Sequence, residues 1–230
     1  MINNWHEYGS ERLLSRNRLL FQRHRLFTKY FLDYFSLLST ESKCLDIGCG
    51  DGFFMELLRM LGFNKITGVD PSLPFVNRAR EKGLDVSLGN VYQLNGCREE
   101  YEVVLLLDVL EHLEEPLTAL GIVHTLLRKN GVLFLNVPVC DSLASIMQRL
   151  LHQKTKLQQM QEWDPTHLAA FSGKTLEQLC LEAGFSVEQR VHLSNLFPFI
   201  GRISHRLEDF LLSITLGGRY GDFCTLVCRK

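Results

Sequence analysis

The stretch Cys44-Leu45-Asp46-Ile47-Gly48-Cys49-Gly50-Asp51-Gly52-Phe53-Phe54 decides the fold. A short apolar run over 44–47 passes into glycines at alternate positions and then directly into a helical pattern over 53–61. Glycine has no Cβ, so such a loop lets backbone approach a ligand closely at the carboxyl end of a strand, where open α/β sheets bind their ligands. The dinucleotide fingerprint G-x-G-x-x-G would need glycine at 53, which is Phe53, and the loop reads G-x-G-x-G instead. A nicotinamide dinucleotide is disfavoured on that ground. No lysine followed by serine or threonine closes the loop, so it does not have the form that holds a triphosphate.

Outward from the loop, apolar runs at 66–70, 86–88, 103–107 and 132–137 alternate with helical stretches at 73–81 and 116–129. Runs apolar at consecutive positions suit strands buried on both faces of a parallel sheet. The helix over 116–129 opens on Pro116 and has Gly131 just past its expected end. The pattern predicts a doubly wound α/β sheet. Farther on come a Gln-rich helical stretch over 143–163, a helix over 175–183 closed by Gly184, and strands over 185–193 and 222–229.

Two apolar segments lie outside this alternation. Residues 11–38 place Phe21, Phe27, Phe31 and Phe35 at near-helical spacing beside six basic residues, which predicts one or two amphipathic helices across the sheet edge with a solvated basic face. A basic patch facing phosphate or a membrane is the alternative. Residues 194–220 form an apolar helical insert, and a connection longer than about 12–15 residues usually carries structure or function of its own. Its cover is expected to be the N-terminal aromatics, closing with it as a lid over a pocket, or else an apolar ligand or membrane face, or a second subunit. The chain therefore divides as one domain: a helical extension over 1–40, a core over 41–193 and 221–230, and the insert over 194–220.

The 230 residues include 25 Lys+Arg and 26 Asp+Glu, for a formal net charge of −1, which removes the field a general nucleic-acid binder uses. Seven cysteines are an odd number with no C-x-x-C spacing, so they read as buried apolar residues in a reducing compartment, and no metal site is expected. The first residues lack a signal-peptide core, and no uncharged run approaches the roughly 18–20 residues of a membrane span. A cytoplasmic protein is expected, with peripheral membrane contact left open.

Asp70 ends the second apolar run, 20 residues beyond Gly50. A carboxylate there can accept hydrogen bonds from both hydroxyls of a ribose, and with the glycine loop it points to a nucleoside.

With these residues on view, the chain resembles the class I S-adenosylmethionine-dependent methyltransferases, in their small-molecule, ubiquinone-biosynthesis-like branch. The glycine loop is similar to their first motif, Val69-Asp70 to their second, Gly89-Asn90-Val91 to the end of their third strand, and Leu107-Asp108-Val109-Leu110-Glu111-His112-Leu113 to the end of their fourth. Asp164-Pro165-Thr166-His167-Leu168 and the later Glu182-Ala183-Gly184-Phe185 also resemble that branch. The resemblance covers residues 40–193 and the final strand, and implies a Rossmann-like seven-stranded sheet, mostly parallel with an antiparallel last strand. It implies that Asp46 orients the amino group of S-adenosylmethionine, that Gly48, Gly50 and Gly52 admit the cofactor, and that Asp70 and Pro71 hold the ribose. Asn90 and Val91 would flank the adenine, and Asp108 would stand beside the methionine part or the transferring methyl. The family often has aspartate where Asn90 stands.

Methyl transfer from a sulfonium is a direct displacement, so the protein chiefly aligns donor and acceptor and excludes water. A base is needed only where the acceptor must lose a proton; His167 is the first candidate and His112 the second. Glu111, Glu114 and Glu115 are expected to decorate a loop and a helix start. The expected acceptor is a small or lipid-like metabolite, methylated at oxygen. A nucleic acid is disfavoured, because the fourth strand lacks an Asn-Pro-Pro-Tyr type of ending and no RNA-binding module is appended. The alternatives are a cofactor-binding, non-catalytic or activating subunit, and a tRNA or protein methyltransferase.

Overall fold

In the computed structural model, which describes residues 30–96, 100–139, 146, 150–151, 155–193 and 223–230, the first described residues, 30–35, are helical and are labelled α1. The chain continues through β1 (Cys44–Ile47), α2 (Phe53–Met60), β2 (Ile66–Asp70), α3 (Leu73–Glu81), β3 (Asp85–Leu88) and β4 (Tyr101–Leu107). Then come α4 (Pro116–Leu126), β5 (Leu127–Pro138), α5 (Lys156–Trp163), α6 (Gly173–Glu182), β6 (Ser186–Leu193) and β7 (Phe223–Arg229). The seven strands form one sheet in the order β3-β2-β1-β4-β5-β7-β6. Pairings through β5 are parallel, and β7 runs antiparallel to both β5 and β6. The doubly wound sheet with an antiparallel last strand is as the sequence predicts. Because β1 is flanked by β2 on one side and β4 on the other, the winding reverses there, and a crevice opens beyond the carboxyl ends of β1 and β4.

Alternate residues of each strand feed two cores. Leu45, Ile47, Val104, Leu106, Leu133 and Leu135 pack on the face covered by α4 and α6. On the other face, Cys44, Val103, Leu105 and Phe134 pack with α1 and α2. Burial of every residue of β1 explains why that strand reads as a continuous apolar run broken only by Asp46.

Two expectations need correction. The helix from Pro116 stops at Leu126, not at 129, and Leu127 already belongs to β5. Leu127 pairs with Tyr101 and is fully buried, so sheet pairing and burial override the helical pattern of its neighbours. The described part of the N-terminal segment, residues 30–35, packs on the sheet face and not across its edge, while residues 11–29 lie outside the described residues. Phe31 and Phe35 are both 0% exposed and set their rings 5.5 and 5.2 Å from that of Phe134 on β5, an interior strand. Tyr30 reaches the edge, its hydroxyl donating to Gln189 Oε1 of β6 at 2.6 Å. Phe31 and Phe35 thus pack on the sheet. The 194–220 insert, with Phe21 and Phe27, lies outside the described residues.

Phe31→Ala should accordingly cost about 3–5 kcal/mol of stability, the usual range for deleting a buried phenyl ring. A urea midpoint within error of the parent's would show that α1 is not part of the core. Among the described residues no helix is long and apolar enough to cross a membrane.

Candidate active site

The glycine loop follows β1 at the sheet's point of reversal. Gly48 has φ +74, and a Cβ there would fall 2.3 Å from Val109 Cγ2, so both the backbone conformation and the approach of the β4 loop demand glycine. Gly50 has φ +56 and faces open space that a side chain would fill. Gly52 caps α2. Asp70 ties the loop down: Oδ2 accepts from the Gly50 amide at 2.8 Å, and Oδ1 from the Ser72 amide at 2.8 Å. The sequence argument assigns Asp70 to a ribose alone; its hold on the loop becomes visible only once β1 and β2 are paired.

A cavity of about 750 Å³ opens over the carboxyl ends of the strands. Gly48, Asp70, Pro71, Asn90 and Val91 line it from β1, β2 and β3, and Asp108, Val109, His112, Leu113 and Leu168 from the β4 side. Asn90 accepts from the amides of Tyr92 and Gln93 at 3.0 and 3.3 Å, capping the short 3-10 turn Val91–Leu94. Its Oδ1 is thus engaged in local structure as well as facing the cavity.

Asp46 is 2% exposed, and its Oδ2 has no hydrogen-bond partner among the described residues. Burial, and after it the charge of Asp70, push its carboxyl up to about 7. Asp108 has φ 54, uncommon for a residue with a side chain, and Oδ1 accepts from Asn136 Nδ2 at 2.8 Å. Asn136 in turn accepts from Thr225 Oγ1 at 2.8 Å, so β4, β5 and β7 together aim Asp108. Its place at the base of the cavity, withdrawn from bulk water though open to the cavity, pushes Asp108 up to about 6 against the lowering effect of Asn136.

Glu111 overturns its expectation. Instead of decorating a loop it is 1% exposed in a short 3-10 turn, Leu110–His112, with Oε2 lacking a partner among the described residues. Burial, with the charge of Asp108 next, holds its carboxyl well above the usual range. Its carbonyl accepts from the Leu168 and Ala169 amides at 2.8 and 3.1 Å, which docks the 164–169 loop on the end of β4. That docking brings the rings of His112 and His167 to 4.8 Å.

The two histidines differ in access. His112 lines the cavity, whereas His167 is 6% exposed behind it and does not. His167 Nδ1 lies 3.0 Å from the Met160 carbonyl, and burial lowers its pKa, so its imidazole is neutral near pH 7. Glu114 and Glu115 are exposed at the cavity rim. No sequence signal marks Glu111, since its partners come from a segment that only the tertiary fold delivers.

These residues fit S-adenosylmethionine. Its methionine part is a cation, and Asp46 offers a buried oxygen without a partner; its ribose is a diol, and Asp70 is oriented by two amides; its length needs the open space before Gly50. Asp70 and Asp108 line the cavity, whereas Asp46, Gly50 and Gly52 are not among its lining residues.

A family model described as a methyltransferase domain matches residues 17–190. A ubiquinone biosynthesis O-methyltransferase of Histophilus somni is 32% identical over 106 residues, 41% of this chain and 44% of that protein. A tRNA U34 carboxymethyltransferase of Campylobacter jejuni is 33% identical over 105 residues, 42% of this chain and 35% of that protein. The chain thus spans less than half the length of the curated relatives it matches. The crystal structure of a SAM-dependent methyltransferase from Archaeoglobus fulgidus superposes with a TM-score of 0.64 at 18% identity, over 98% of this chain and 100% of that one. With the family match running through the glycine loop, Asp70, the end of β4 and the 164–169 loop, the chain belongs to the methyltransferase domain family, in the class I fold whose cofactor is S-adenosylmethionine.

Proposed function

We propose that the protein transfers a methyl group from S-adenosylmethionine to an oxygen of a small or lipid-like acceptor. The observation that carries this reading is one cavity lined by Asp70 from the β2 side and by His112, Leu113 and Leu168 from the β4 side, which joins a carboxylate suited to a nucleoside to a mostly apolar wall bearing one imidazole. When bound, the cofactor supplies an electrophilic methyl on a sulfonium. Asp70 holds the ribose, Asp46 and Asp108 face the methionine part, and the apolar wall excludes water from the acceptor. His112 faces the acceptor hydroxyl and takes its proton at Nε2. His167, the first candidate on sequence, is buried behind His112 and acts through it as a positioning residue.

The relatives' names divide between a ubiquinone precursor and a tRNA as acceptor, and the apolar walls with the net charge of −1 favour the former type. The test is a panel of hydroxylated aromatics, with and without isoprenoid tails, and bulk tRNA, incubated with methyl-labelled cofactor. Label in a small hydroxylated acceptor is expected. Label in tRNA alone, or tight cofactor binding with no conversion across the panel, would replace this reading with a tRNA enzyme or a non-catalytic subunit respectively.

Asp46 gives the binding step a pH dependence. Its carboxyl must be ionised to meet the cofactor's ammonium, and without ligand it titrates at about 7. Affinity should therefore fall as the pH drops through 7, by up to about tenfold per unit, with proton release on binding. Without ligand the folded form keeps a proton between the ordinary carboxylate range and about 7 that the unfolded chain has lost, so Asp46 makes stability decline as pH rises through that window. Calorimetry in buffers of different ionisation enthalpy reads the proton, and Asp46→Asn should flatten the profile. A parent profile already flat from pH 6 to 8 would remove Asp46 from the site.

A further inference from the structure

We propose that Glu111, His112 and His167 bind one divalent transition-metal cation, of the zinc type, at the acceptor end of the cavity. One nitrogen or oxygen from each of the three lies within 4.8 Å of those of the other two. His112 Nε2 stands 3.8 Å from Glu111 Oε1.

The tautomers follow from the partners. His167 Nδ1 lies 3.0 Å from the Met160 carbonyl, which can only accept, so Nδ1 carries the hydrogen and Nε2 the lone pair. His112 Nδ1 lies 3.3 Å from the Thr166 carbonyl and 3.0 Å from Thr166 Oγ1. That hydroxyl donates to Asp164 Oδ1 at 2.6 Å, so it accepts from His112, whose Nε2 again keeps its lone pair. Glu111 adds a carboxylate oxygen that is buried and has no partner among the described residues. Two imidazole acceptors and one carboxyl group therefore converge, with at most the carboxyl's own proton among them. A single proton can join only two of the three, whereas a cation satisfies all of them at once.

The set has the composition of a catalytic zinc site, two histidines and one carboxylate with a position left open. Both imidazoles are anchored through their other nitrogen to backbone carbonyls, the support that metal-bound histidines require. Tetrahedral coordination at roughly 2.0–2.1 Å calls for ligand atoms roughly 3.3 Å apart, so the separations of 3.8 to 4.8 Å must close by about 0.5–1.5 Å through side-chain rotation. Among the described residues no lysine or arginine pairs with Glu111 or with the neighbouring Asp108, so no fixed cation competes for the site. His112 lines the cavity, so the open position faces the acceptor. A cation there would bind the acceptor oxygen and lower its pKa so that its proton is lost to water, with His112 as ligand; in the metal-free protein His112 Nε2 takes that proton. That use rests on the methyl-transfer reading, while the binding does not. Cysteine spacing gave no hint of the site, because its ligands come from two segments joined only by the docking of Leu168 on Glu111.

The test uses the full chain without a polyhistidine tag, stripped with chelator and dialysed against zinc chloride, with bound metal counted by plasma spectrometry. One zinc per chain is expected, with affinity at least tenfold weaker in His112→Ala and in Glu111→Gln. S-adenosylmethionine affinity should be unchanged in His112→Ala, which reports intact folding should Glu111→Gln fail to fold. Cobalt chloride separates this site from the cysteines, since thiolate ligation gives an intense near-ultraviolet charge-transfer band that imidazole and carboxylate do not. No stoichiometric zinc, equal affinity in His112→Ala, or a thiolate band would each overturn the proposal. Zinc binding at these residues in a protein that methylates nothing would leave the metal site standing and remove the methyl-transfer reading.

Discussion

His112→Ala should lower turnover of the acceptor by roughly 10²- to 10⁴-fold while leaving S-adenosylmethionine affinity within a factor of about two, the range expected when a positioned proton acceptor is lost. The separation of effects follows from the sheet. The ribose end of the cavity hangs on β1, β2 and β3, whereas His112 belongs to the turn after β4. His112 is only half-buried, so its removal leaves no large cavity, and a folding defect is not expected. Steady-state kinetics with calorimetry on the same preparation decides it. A parallel fall in cofactor affinity would place His112 in the cofactor site, and undiminished turnover would leave the acceptor end without an assigned base. His167→Ala makes the informative comparison. An equal loss there marks the two rings as one unit, and a much smaller one confines the chemistry to His112.

The second large effect belongs to Asp70. Asp70→Ala removes two hydrogen bonds from the ribose hydroxyls to a charged group, each worth roughly 1.5–3 kcal/mol before compensation, so affinity should fall at least tenfold. The structure adds a second cause in the same direction. The Gly50 and Ser72 amides lose their acceptor, and the loop that must present Gly48 and Gly50 loses its tether to β2. Asp70→Asn keeps one carbonyl oxygen and should fall between parent and alanine variant. Calorimetry showing unchanged affinity in Asp70→Ala would withdraw the nucleoside end of the cavity from cofactor binding.

What could be read from the sequence was local. The glycine loop, the apolar runs and Asp70 each announce themselves within a few residues, because strand burial and the lack of a Cβ at Gly48 act on neighbouring backbone. They sufficed for the doubly wound sheet, and the structure sets Gly48 and Asp70 on one cavity. Asp108 was legible as a strand-end carboxylate, but its left-handed backbone and its tether through Asn136 to Thr225 were not, since those partners lie on β5 and β7. The end of α4 at Leu126 was equally out of reach, as pairing of Leu127 with Tyr101 outweighs the helical preference of the residues around it. Periodicity showed that Phe31 and Phe35 share one apolar face, while only packing against Phe134 decided that the face meets the interior of the sheet. The acceptor end was decided almost wholly by tertiary structure. Glu111 and His112 reach His167 because two amides of the 164–169 loop dock on the Glu111 carbonyl, and hydrogen bonds between segments far apart in the chain leave no periodic trace in the sequence.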